Sequence, residues 1–341
     1  MKTVFLTGIN GLLGTNLAAE LLNRGFYVKG LIRNRFKYKG PVHENLELIE
    51  GGLLDNLQPF CAGCDYLVHA AAETRQDLLQ YSAYRKINIE AAVHLFQTAM
   101  QCGVERFVFV STANTLGYGS SERPGTELGK MKFPFSASFY ARSKQEAEAH
   151  LQKNRCKPEV VLIHPCFMLG AFDTKPGSGK IILMAWKKKL VFYPPGGKNF
   201  VHVRDVAEGI IRSFENGRHG EKYLLAGENL SYFEFFQKLN HTLNQQTLLI
   251  KIPRPVLRVL GYWGDLLRFF RLETNLCSVN MEALCVNNFY SNEKSVSELG
   301  MTYRPVEEAI RDAVSYFKQV RSVEDKIREH QVHSKMHGPF V

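Results

Sequence analysis

Thr7-Gly8-Ile9-Asn10-Gly11-Leu12-Leu13-Gly14 is the stretch of this 341-residue sequence that decides the fold. It lies between an apolar run at residues 4–7 and a helical pattern with leucines four residues apart. Gly8 permits a tight turn, Gly11 lets the backbone approach a pyrophosphate, and Gly14 lets the helix pack closely on the strand. The N–H groups of the first helical turn then face the phosphates. This context predicts a dinucleotide site formed by Gly8, Asn10, Gly11, Leu12, Leu13 and Gly14.

Outward from this stretch, apolar runs suited to buried strands alternate with amphipathic segments of helix length. This alternation is typical of βαβ units and a parallel sheet. We predict strands at residues 4–7, 26–32, 46–50, 66–69, 106–110 and 160–163, and helices at residues 12–24, 87–102 and 140–151.

The pattern changes beyond Pro165, where glycine and proline gather at residues 175–180 and 193–198. The sequence therefore predicts an α/β protein with a doubly wound parallel (Rossmann) sheet and a smaller, mostly helical C-terminal substrate lobe. We expect the parts to be a dinucleotide-binding domain at 1–165, a substrate lobe at 166–330 with segment 200–226 returning to the first domain, and a flexible tail at 331–341.

The composition excludes several classes of protein. Hydrophobic residues make up 45% of the chain and charged residues 22%, which is typical of a soluble globular protein. No apolar run reaches the roughly 18 residues that a membrane-spanning helix needs, and the chain opens on a strand-like run instead of a signal peptide. The seven cysteines are an odd number in a chain long enough to need no disulfides, so we expect a reducing, cytoplasmic location.

The formal net charge of +10 favours an anionic partner, either a phosphate-bearing cofactor, a membrane surface or nucleic acid. Because the basic residues are scattered and not interleaved with aromatics, we expect no nucleic-acid partner. Residues 255–272 form an amphipathic helical pattern with basic flanks, which suits packing, a wall of an apolar substrate pocket or peripheral contact with a membrane. We favour packing and a pocket wall, and leave membrane contact and a homodimer open.

The end of the second predicted strand carries a base where NAD-binding sites usually place an acid. A carboxylate there binds both ribose hydroxyls of NAD, whereas this chain has Arg33. An acid would repel a 2′-phosphate, but a guanidinium binds one through two parallel hydrogen bonds. NADP is therefore the favoured cofactor and NAD the less favoured one. The later basic residues, Arg35, Lys37 and Lys39, are interpreted as a solvated loop.

Tyr140 and Lys144 are four residues apart, so a helix places the phenol and the ammonium on one face. A nearby fixed cation lowers the pKa of a phenol from about 10 towards working pH, which prepares it to exchange a proton with a hydroxyl or carbonyl group. Ser111 and Thr112 close the strand at 106–110, where a hydroxyl can hold the reacting oxygen.

Taken in order, these motifs resemble the extended short-chain dehydrogenase/reductase family, also known as the NAD-dependent epimerase/dehydratase family. Within it, they resemble the dihydroflavonol-reductase-like and 3β-hydroxysteroid-dehydrogenase-like branch. The resemblance spans residues 2–318. It rests on TGxxGxxG at 7–14, His69-Ala70-Ala71-Ala72, Asn88, Ser111-Thr112, YxxxK at 140–144, Pro165 and VHVRDVA at 201–207.

The resemblance implies a role for each matching residue. Tyr140 would donate or accept the proton, Lys144 would bind the nicotinamide ribose and lower the pKa of Tyr140, and Thr112 would hydrogen-bond the substrate oxygen. Asn88 matches the active-site asparagine that supports the lysine through a proton relay, although its residue type alone suits a helix cap equally well. The cofactor would also be lined by Ala70, Ala71 and Pro165.

The sequence departs from the family pattern at two places. Many members carry Gly-Asp after the third strand, with the aspartate on adenine, whereas this chain has Gly51-Gly52-Leu53. The adenine contact then falls to Leu53 and, if it substitutes for the missing acid, to Asp55. The sugar-nucleotide 4,6-dehydratases follow their threonine with Asp-Glu, but Ala113-Asn114 follows Thr112 here, so dehydratase chemistry is not expected.

We interpret the remaining cysteine and histidine features as packing. Cys61 and Cys64 have CxxC spacing but no second pair. Cys166 has the placement of an acid for an epimerisation, but we interpret it as a small wall residue. The histidines that we considered show no shared metal-ligand spacing, so no metal is expected: His69, His164 and His202.

We therefore expect an NADP-dependent oxidoreductase that moves a hydride between the nicotinamide and a carbonyl or secondary alcohol of a small, fairly apolar substrate. Two alternatives stay open, namely a sugar-nucleotide epimerase that retains its NAD(P) and a binding protein that senses NADP without turnover. Thr112, Tyr140 and Lys144 together argue against the sensor, since only catalysis needs all three. The substrate lobe carries no motif that names the substrate.

Overall fold

The computed structural model describes residues 1–154 and 157–336, along which strands and helices alternate. The strands are β1 Thr3–Thr7, β2 Tyr27–Ile32, β3 Leu46–Glu50, β4 Tyr66–His69, β5 Arg106–Val110, β6 Glu159–Pro165, β7 Phe167–Leu169, β8 Leu190–Tyr193, β9 Gly197–His202, β10 Lys222–Leu225, β11 Glu228–Ser231, β12 Leu248–Lys251 and β13 Asn287–Asn288. The α-helices are α1 Leu12–Asn23, α2 Gln58–Cys61, α3 Tyr81–Tyr84, α4 Ala91–Gln101, α5 Phe139–Leu151, α6 Lys180–Ala185, α7 Val203–Asn216, α8 Tyr232–Thr242, α9 Arg254–Phe269, α10 Ser278–Ala283, α11 Glu293–Leu299 and α12 Val306–Met336.

Seven of the strands form one sheet in the order β10-β6-β5-β4-β1-β2-β3. Every neighbouring pair in this sheet is parallel. The chain builds outward from β1 to β3 on one side and then from β4 to β10 on the other, so the strand order reverses between β1 and β4. The predicted doubly wound sheet is confirmed. Ligands of such sheets bind outside the carboxyl ends of the strands at this reversal.

The two faces of the sheet are covered because successive strand residues point to opposite sides. In β1, Val4 and Leu6 pack under α1 and α7, whereas Phe5 between them packs under α4 and α5. All three side chains are fully buried. This double coverage explains the continuous apolar runs in the sequence, because a strand buried on both faces does not alternate with polar residues.

The second part of the chain forms a lobe with its own core. Strands β7, β9, β11 and β13 form a small sheet, and β8 pairs with β12 in a separate two-stranded ribbon. Phe200 of β9 stacks on Phe235 of α8, with ring centroids 4.3 Å apart, and α12 packs on the same core. Segment 203–225, by contrast, contributes α7 and β10 to the main sheet and its cover.

The predicted strand bounds agree with the observed strands to within two residues, but one helix begins earlier than expected. The helical segment predicted at 87–102 starts at Tyr81, and a π-helical segment, Arg85–Glu90, joins α3 to α4. The earlier turn forms because Tyr84 is buried and its hydroxyl donates to the Arg75 carbonyl at 2.6 Å. Asn88 therefore lies inside a helical segment and does not cap its start.

Further findings concern the cysteines, the chain end and the membrane. Cys61 and Cys64 are buried among apolar side chains, as predicted. The predicted tail at 331–341 overlaps the last turns of α12, and residues 337–341 lie outside the described part of the chain. Among the described residues, no helix combines the length and apolar composition that crossing a bilayer requires, and no cluster of side chains is suited to hold a metal ion.

Candidate active site

The turn between β1 and α1 is shaped by contacts that leave no room for side chains. Gly8 has a φ of +75°, and a Cβ there would lie 2.7 Å from the Ala71 nitrogen. A Cβ on Gly14 would lie 2.1 Å from the Gly8 carbonyl oxygen. A Cβ on Gly11 would lie 3.4 Å from the Gly8 carbonyl oxygen, an ordinary contact distance. The turn is therefore packed tightly on the protein side at Gly8 and Gly14 but is open at Gly11.

The start of α1 is equipped to bind an anion. Gly11 is its N-cap residue, and no side chain caps the helix. Backbone N–H groups of a first helical turn without a capping side chain attract phosphate through hydrogen bonds and the helix dipole. These residues fit the phosphates of a dinucleotide, and the predicted contacts of Asn10, Leu12 and Leu13 lie in this same turn.

The backbone after β4 completes the crevice. Ala70 and Ala71 follow His69 and lie against the Gly8 turn, and the Ala71 N–H donates to the Thr7 hydroxyl at 3.3 Å. That hydroxyl also lies 2.8 Å from His69 Nδ1. The carboxyl ends of β1 and β4 are thus joined by side-chain hydrogen bonds, and the predicted cofactor contacts of Ala70 and Ala71 lie at the sheet reversal.

Arg33 is exposed directly after β2, and no ion pair or hydrogen bond of its side chain is found within the described part of the chain. Arg35 is different because its guanidinium lies 3.8 Å from the Glu50 carboxylate and its backbone N–H donates to the same side chain. Arg33 is therefore free to bind an anion at the sheet edge, whereas Arg35 is held by Glu50.

The turn after β3 uses the acid that sequence analysis considered for adenine. The Asp55 carboxylate accepts a hydrogen bond from the Gly52 N–H at 2.6 Å, and Leu53 packs against the core beneath α4. Asp55 thus organises the Gly51-Gly52-Leu53 turn while remaining exposed. Contacts of Leu53 and Asp55 with adenine stay a prediction.

Tyr140 and Thr112 meet at the carboxyl end of β5. The Thr112 hydroxyl faces the Tyr140 phenol closely enough to affect its pKa, and Thr112 is almost fully buried. Burial raises the pKa of Tyr140 to about 12, and the Thr112 hydroxyl only partly opposes that rise. The phenol therefore stays protonated at neutral pH and is chemically able to donate a proton.

Lys144 lies one helical turn beyond Tyr140, but its ammonium is directed into the protein. Its Nζ donates to the Val110 carbonyl at 2.6 Å and lies 4.3 Å from the centre of the Phe109 ring. Burial lowers the pKa of Lys144 to about 7, although Glu148 acts in the opposite direction. In this arrangement the Tyr140 pKa is raised by burial, and Lys144 is not among the groups that affect it. The lowering of the Tyr140 pKa that the sequence predicts is therefore absent.

Glu148 continues the stripe of Tyr140 and Lys144 by a further helical turn and is nearly fully buried. Burial alone would raise the pKa of its carboxyl group, but His164 and Lys222 hold it well below the usual range. The carboxylate also accepts hydrogen bonds from the hydroxyls of Ser111 and Thr115. Glu148 therefore positions both ends of the segment that carries Thr112. Sequence analysis missed it, although its spacing of four residues from Lys144 was a usable signal.

Asn88 is fully buried and links two segments of the site. Its Nδ2 donates to Ser143 Oγ at 2.9 Å and to the Glu73 carbonyl at 3.1 Å, while its Oδ1 accepts from the Glu73 N–H. Asn88 thus contacts the residue beside Lys144 and holds the segment after β4. A proton relay through Asn88 stays a prediction.

The substrate side of the site contains polar residues that no sequence motif indicated. Asn288 of β13 donates to Asn114 Oδ1 at 3.2 Å, and its own buried Oδ1 has no partner within the described residues. Lys198 pairs with Asn288 in register and lies 5.0 Å from the Phe167 ring, and burial lowers its pKa to about 8. Pro165 is the last residue of β6, and Cys166 lies between it and Phe167, the first residue of β7. Burial raises the pKa of the Cys166 thiol well above its usual value.

Replacing Lys144 by Met tests the buried ammonium through the pH dependence of stability. The pKa of Lys144 is lowered from 10.5 in the unfolded chain to about 7 in the fold. Between these values the unfolded chain binds more protons, so wild-type stability from this residue rises with pH. We expect the free energy of unfolding of Lys144→Met to be most favourable relative to wild type at pH 7. By pH 9.5 it should fall relative to wild type by an amount on the order of 1–3 kcal/mol.

Urea unfolding at the two pH values measures this difference, and the exposed Lys86→Met variant is the control. Its stability relative to wild type should not change with pH. Parallel pH profiles for Lys144→Met and Lys86→Met would contradict the assignment of a buried, easily deprotonated lysine.

Comparison with known proteins places this site in a family. The model of the NAD dependent epimerase/dehydratase family matches residues 4–226. A protein of Synechocystis sp. named "Putative dihydroflavonol 4-reductase" is 26% identical over 330 residues, covering 92% of this chain and 94% of that protein. Sterol demethylase protein B of Methylococcus capsulatus is 27% identical over 336 residues, covering 93% of this chain and 98% of that protein.

A solved structure shares the whole architecture. The crystal structure of gox2253 superimposes with a TM-score of 0.78 at 29% identity, covering 94% of this chain and 98% of that one. The family model covers well over half of the chain, and the glycine turn and the Thr112, Tyr140 and Lys144 cluster lie within the matched residues. This chain belongs to the NAD-dependent epimerase/dehydratase family and is an NAD(P)-dependent oxidoreductase of the extended short-chain dehydrogenase/reductase type.

Proposed function

We propose that this protein is an NADP-dependent reductase of a carbonyl group on a small, fairly apolar substrate. The observation that carries the proposal is the proximity of the Thr112 hydroxyl and the Tyr140 phenol at the carboxyl end of β5. It lies at the edge of the sheet where the glycine turn also opens. We assign residues 1–165 with 200–226 to cofactor binding and the rest of 166–330 to the substrate.

The cofactor would be held by the start of α1, by the backbone of Ala70 and Ala71 and by Arg33. When bound, its nicotinamide would supply the hydride for the substrate carbon. The substrate carbonyl oxygen lies beside Thr112, which holds it by a hydrogen bond. Tyr140 then donates its phenolic proton to that oxygen as negative charge develops there.

The high pKa of Tyr140 supports the reductive direction. A phenol with a pKa of about 12 is protonated at neutral pH, as a proton donor must be. Lys144, with a pKa near 7, is bound to the Val110 carbonyl, so in this arrangement it supports the end of β5 and does not contact the phenol. Asn88 and Glu148 act through position, because they hold Ser143 and the segment carrying Thr112.

The free guanidinium of Arg33 supports NADP over NAD. No acidic residue ends β2, and Glu50 at the end of β3 is engaged with Arg35. A 2′-phosphate beside Arg33 would therefore meet an unpaired cation without a competing carboxylate.

An apolar substrate agrees with the relatives and with the lobe. The two relatives reported above carry names that refer to a flavonoid and to sterols. The rival function is a sugar-nucleotide epimerase, which the family description includes. Both functions can use one tyrosine as acid and base, so the fate of the cofactor must decide between them.

Cofactor titration tests the role of Arg33. We expect NADPH to bind at least about tenfold more tightly than NADH, since one charge-assisted contact is worth roughly 1.5–3 kcal/mol. Arg33→Ala should remove this preference and leave NADH binding unchanged. Lys37→Ala, which removes an exposed cation of the same loop, is the matched control and should alter neither affinity. Equal affinities in wild type, or unaltered NADPH binding in Arg33→Ala, would contradict the proposal.

Tyr140→Phe should lower kcat by a factor on the order of 10² or more while cofactor affinity is kept, because only the proton-donating hydroxyl is removed. The measurement follows the absorbance of the reduced cofactor with whichever flavonoid-like, sterol-like or simple ketone the wild type reduces. Tyr81→Phe removes a hydroxyl that bonds Glu146 instead and should keep full activity. A Tyr140→Phe enzyme with most of its activity would rule out the assigned donor.

Stoichiometry separates the reductase from the epimerase. A reductase must exchange its cofactor in every cycle, so we expect the purified protein to consume one reduced cofactor for each product formed. An epimerase must keep its dinucleotide and return it unchanged. If the cofactor survives purification, and sugar nucleotides interconvert without a net change in absorbance, the epimerase is the correct function.

A further inference from the structure

Helix α9 presents an apolar stripe to solvent. Only Leu257, Gly261 and Gly264 of this helix are buried, and they pack against the segment that leads into α10. On the opposite side Trp263 is 62% exposed and Phe270, just beyond the helix, is 65% exposed. At 3.6 residues per turn, the stripe lies within an arc of about 120°. Its members are Val256, Val259, Leu260, Trp263, Leu266, Leu267 and Phe270, all of them exposed.

The ribbon of β8 and β12, which directly precedes α9 in the chain, adds a second exposed apolar face. Leu248 pairs with Leu190 and Ile250 with Phe192. Residues two apart in a strand point to the same side, so the four side chains share one face of the ribbon. All four are exposed, Leu248 to 64%. The stripe and the ribbon face expose eleven apolar side chains in two groups, which are here together called the apolar area.

Basic residues accompany this area. Lys187, Lys188 and Lys189 are exposed immediately before β8. Residues 246–276 contain five basic side chains and two acidic ones. Arg254 and Arg258 share Glu282 as their ion-pair partner, and Arg268 faces the protein, so Lys251 and Arg271 are the basic residues of this segment without an ion pair among the described residues. Of the two acids, Glu273 is paired with Arg75. The surroundings of the apolar area therefore carry a net positive charge.

We propose that the α9 stripe and the β8–β12 face form a peripheral docking surface for an anionic lipid bilayer. An apolar helix face next to basic side chains binds at the boundary between lipid headgroups and acyl chains. Trp263 and the neighbouring Tyr262 have the side chains that concentrate at this boundary. A second copy of the chain is a poorer occupant, because a two-fold contact would bring the same positive charges together.

The inner side of α9 shares a cavity with the segment that directly precedes Tyr140. Asp265 and Arg268 line a cavity of about 180 Å³ together with Ser138 and Phe139, which directly precede Tyr140. Arg268 also donates to the Leu78 carbonyl at 2.9 Å. If the proposed function holds, docking brings the lobe beside this segment to the membrane, from which an apolar carbonyl compound is drawn. The docking surface itself does not depend on that function.

Vesicle flotation with the full-length protein tests the surface. We expect wild type to float with vesicles of 70% phosphatidylcholine and 30% phosphatidylglycerol, and to bind pure phosphatidylcholine vesicles more weakly. Val259→Gln/Leu266→Gln should lower the partition coefficient at least about tenfold, because two exposed apolar side chains lose their transfer energy. Val42→Gln/Leu128→Gln, which changes two highly exposed apolar residues elsewhere, is the matched control and should float like wild type.

Tryptophan fluorescence gives a second readout that needs no substrate. The chain has two tryptophans, and Trp186 is only 8% exposed, so a shift of emission to shorter wavelength on adding vesicles reports Trp263. Absence of flotation and of this shift would overturn the proposal, as would equal loss of binding in the control variant. A dimer in sedimentation velocity that Val259→Gln/Leu266→Gln converts to monomer, without vesicle binding, would assign the surface to a second copy and overturn it too.

Discussion

The approach of α1 to the turn after β1 is the contact on which the rest of the structure depends. A Cβ on Gly14 would lie 2.1 Å from the Gly8 carbonyl oxygen, and one on Gly8 would collide with the backbone of Ala70 and Ala71. Three backbone segments therefore meet without side chains between them. This meeting directs the first turn of α1 into the crevice where the strand order reverses and brings the end of β4 to the same place. The anion-binding turn and the position of the crevice thus have one common cause.

The chemistry of the site follows from burial on one stripe of α5. Tyr140, Lys144 and Glu148 are four residues apart; Tyr140 is partly exposed, whereas Lys144 and Glu148 are both almost fully buried. Burial keeps the phenol of Tyr140 protonated and favours the neutral form of Lys144. Glu148 stays ionised only because His164 and Lys222 face it. His69, buried near Lys144, has its pKa lowered to about 3 by burial and by that lysine, so it adds no charge to the site.

The sequence predicts those features that depend on local pattern, and it fails where tertiary contacts decide. The glycine turn, the parallel strands and the position of Tyr140 and Lys144 on one helix face all follow from spacing along the chain. The earlier helix start at Tyr81 depends on a hydrogen bond to Arg75, and the contact between Asn288 and Asn114 joins residues 174 positions apart. The orientation of the Lys144 ammonium was also beyond the sequence, because helical spacing places a side chain on a face but does not choose its acceptor.

Helix α9 shows the same limit for hydrophobic pattern. An amphipathic sequence predicts that one face of the helix is apolar. Such a face can pack on the protein core, line an apolar pocket or contact a membrane surface. The structure separates these uses because small residues, Gly261 and Gly264, make the packed side, where Gly264 lies directly against the Leu276 backbone. The large side chains are left outside, Trp263 among them. Helix α9 therefore packs on the lobe through its glycines and exposes its bulky apolar side chains to solvent. These exposed side chains are the ones that the proposed lipid bilayer would contact.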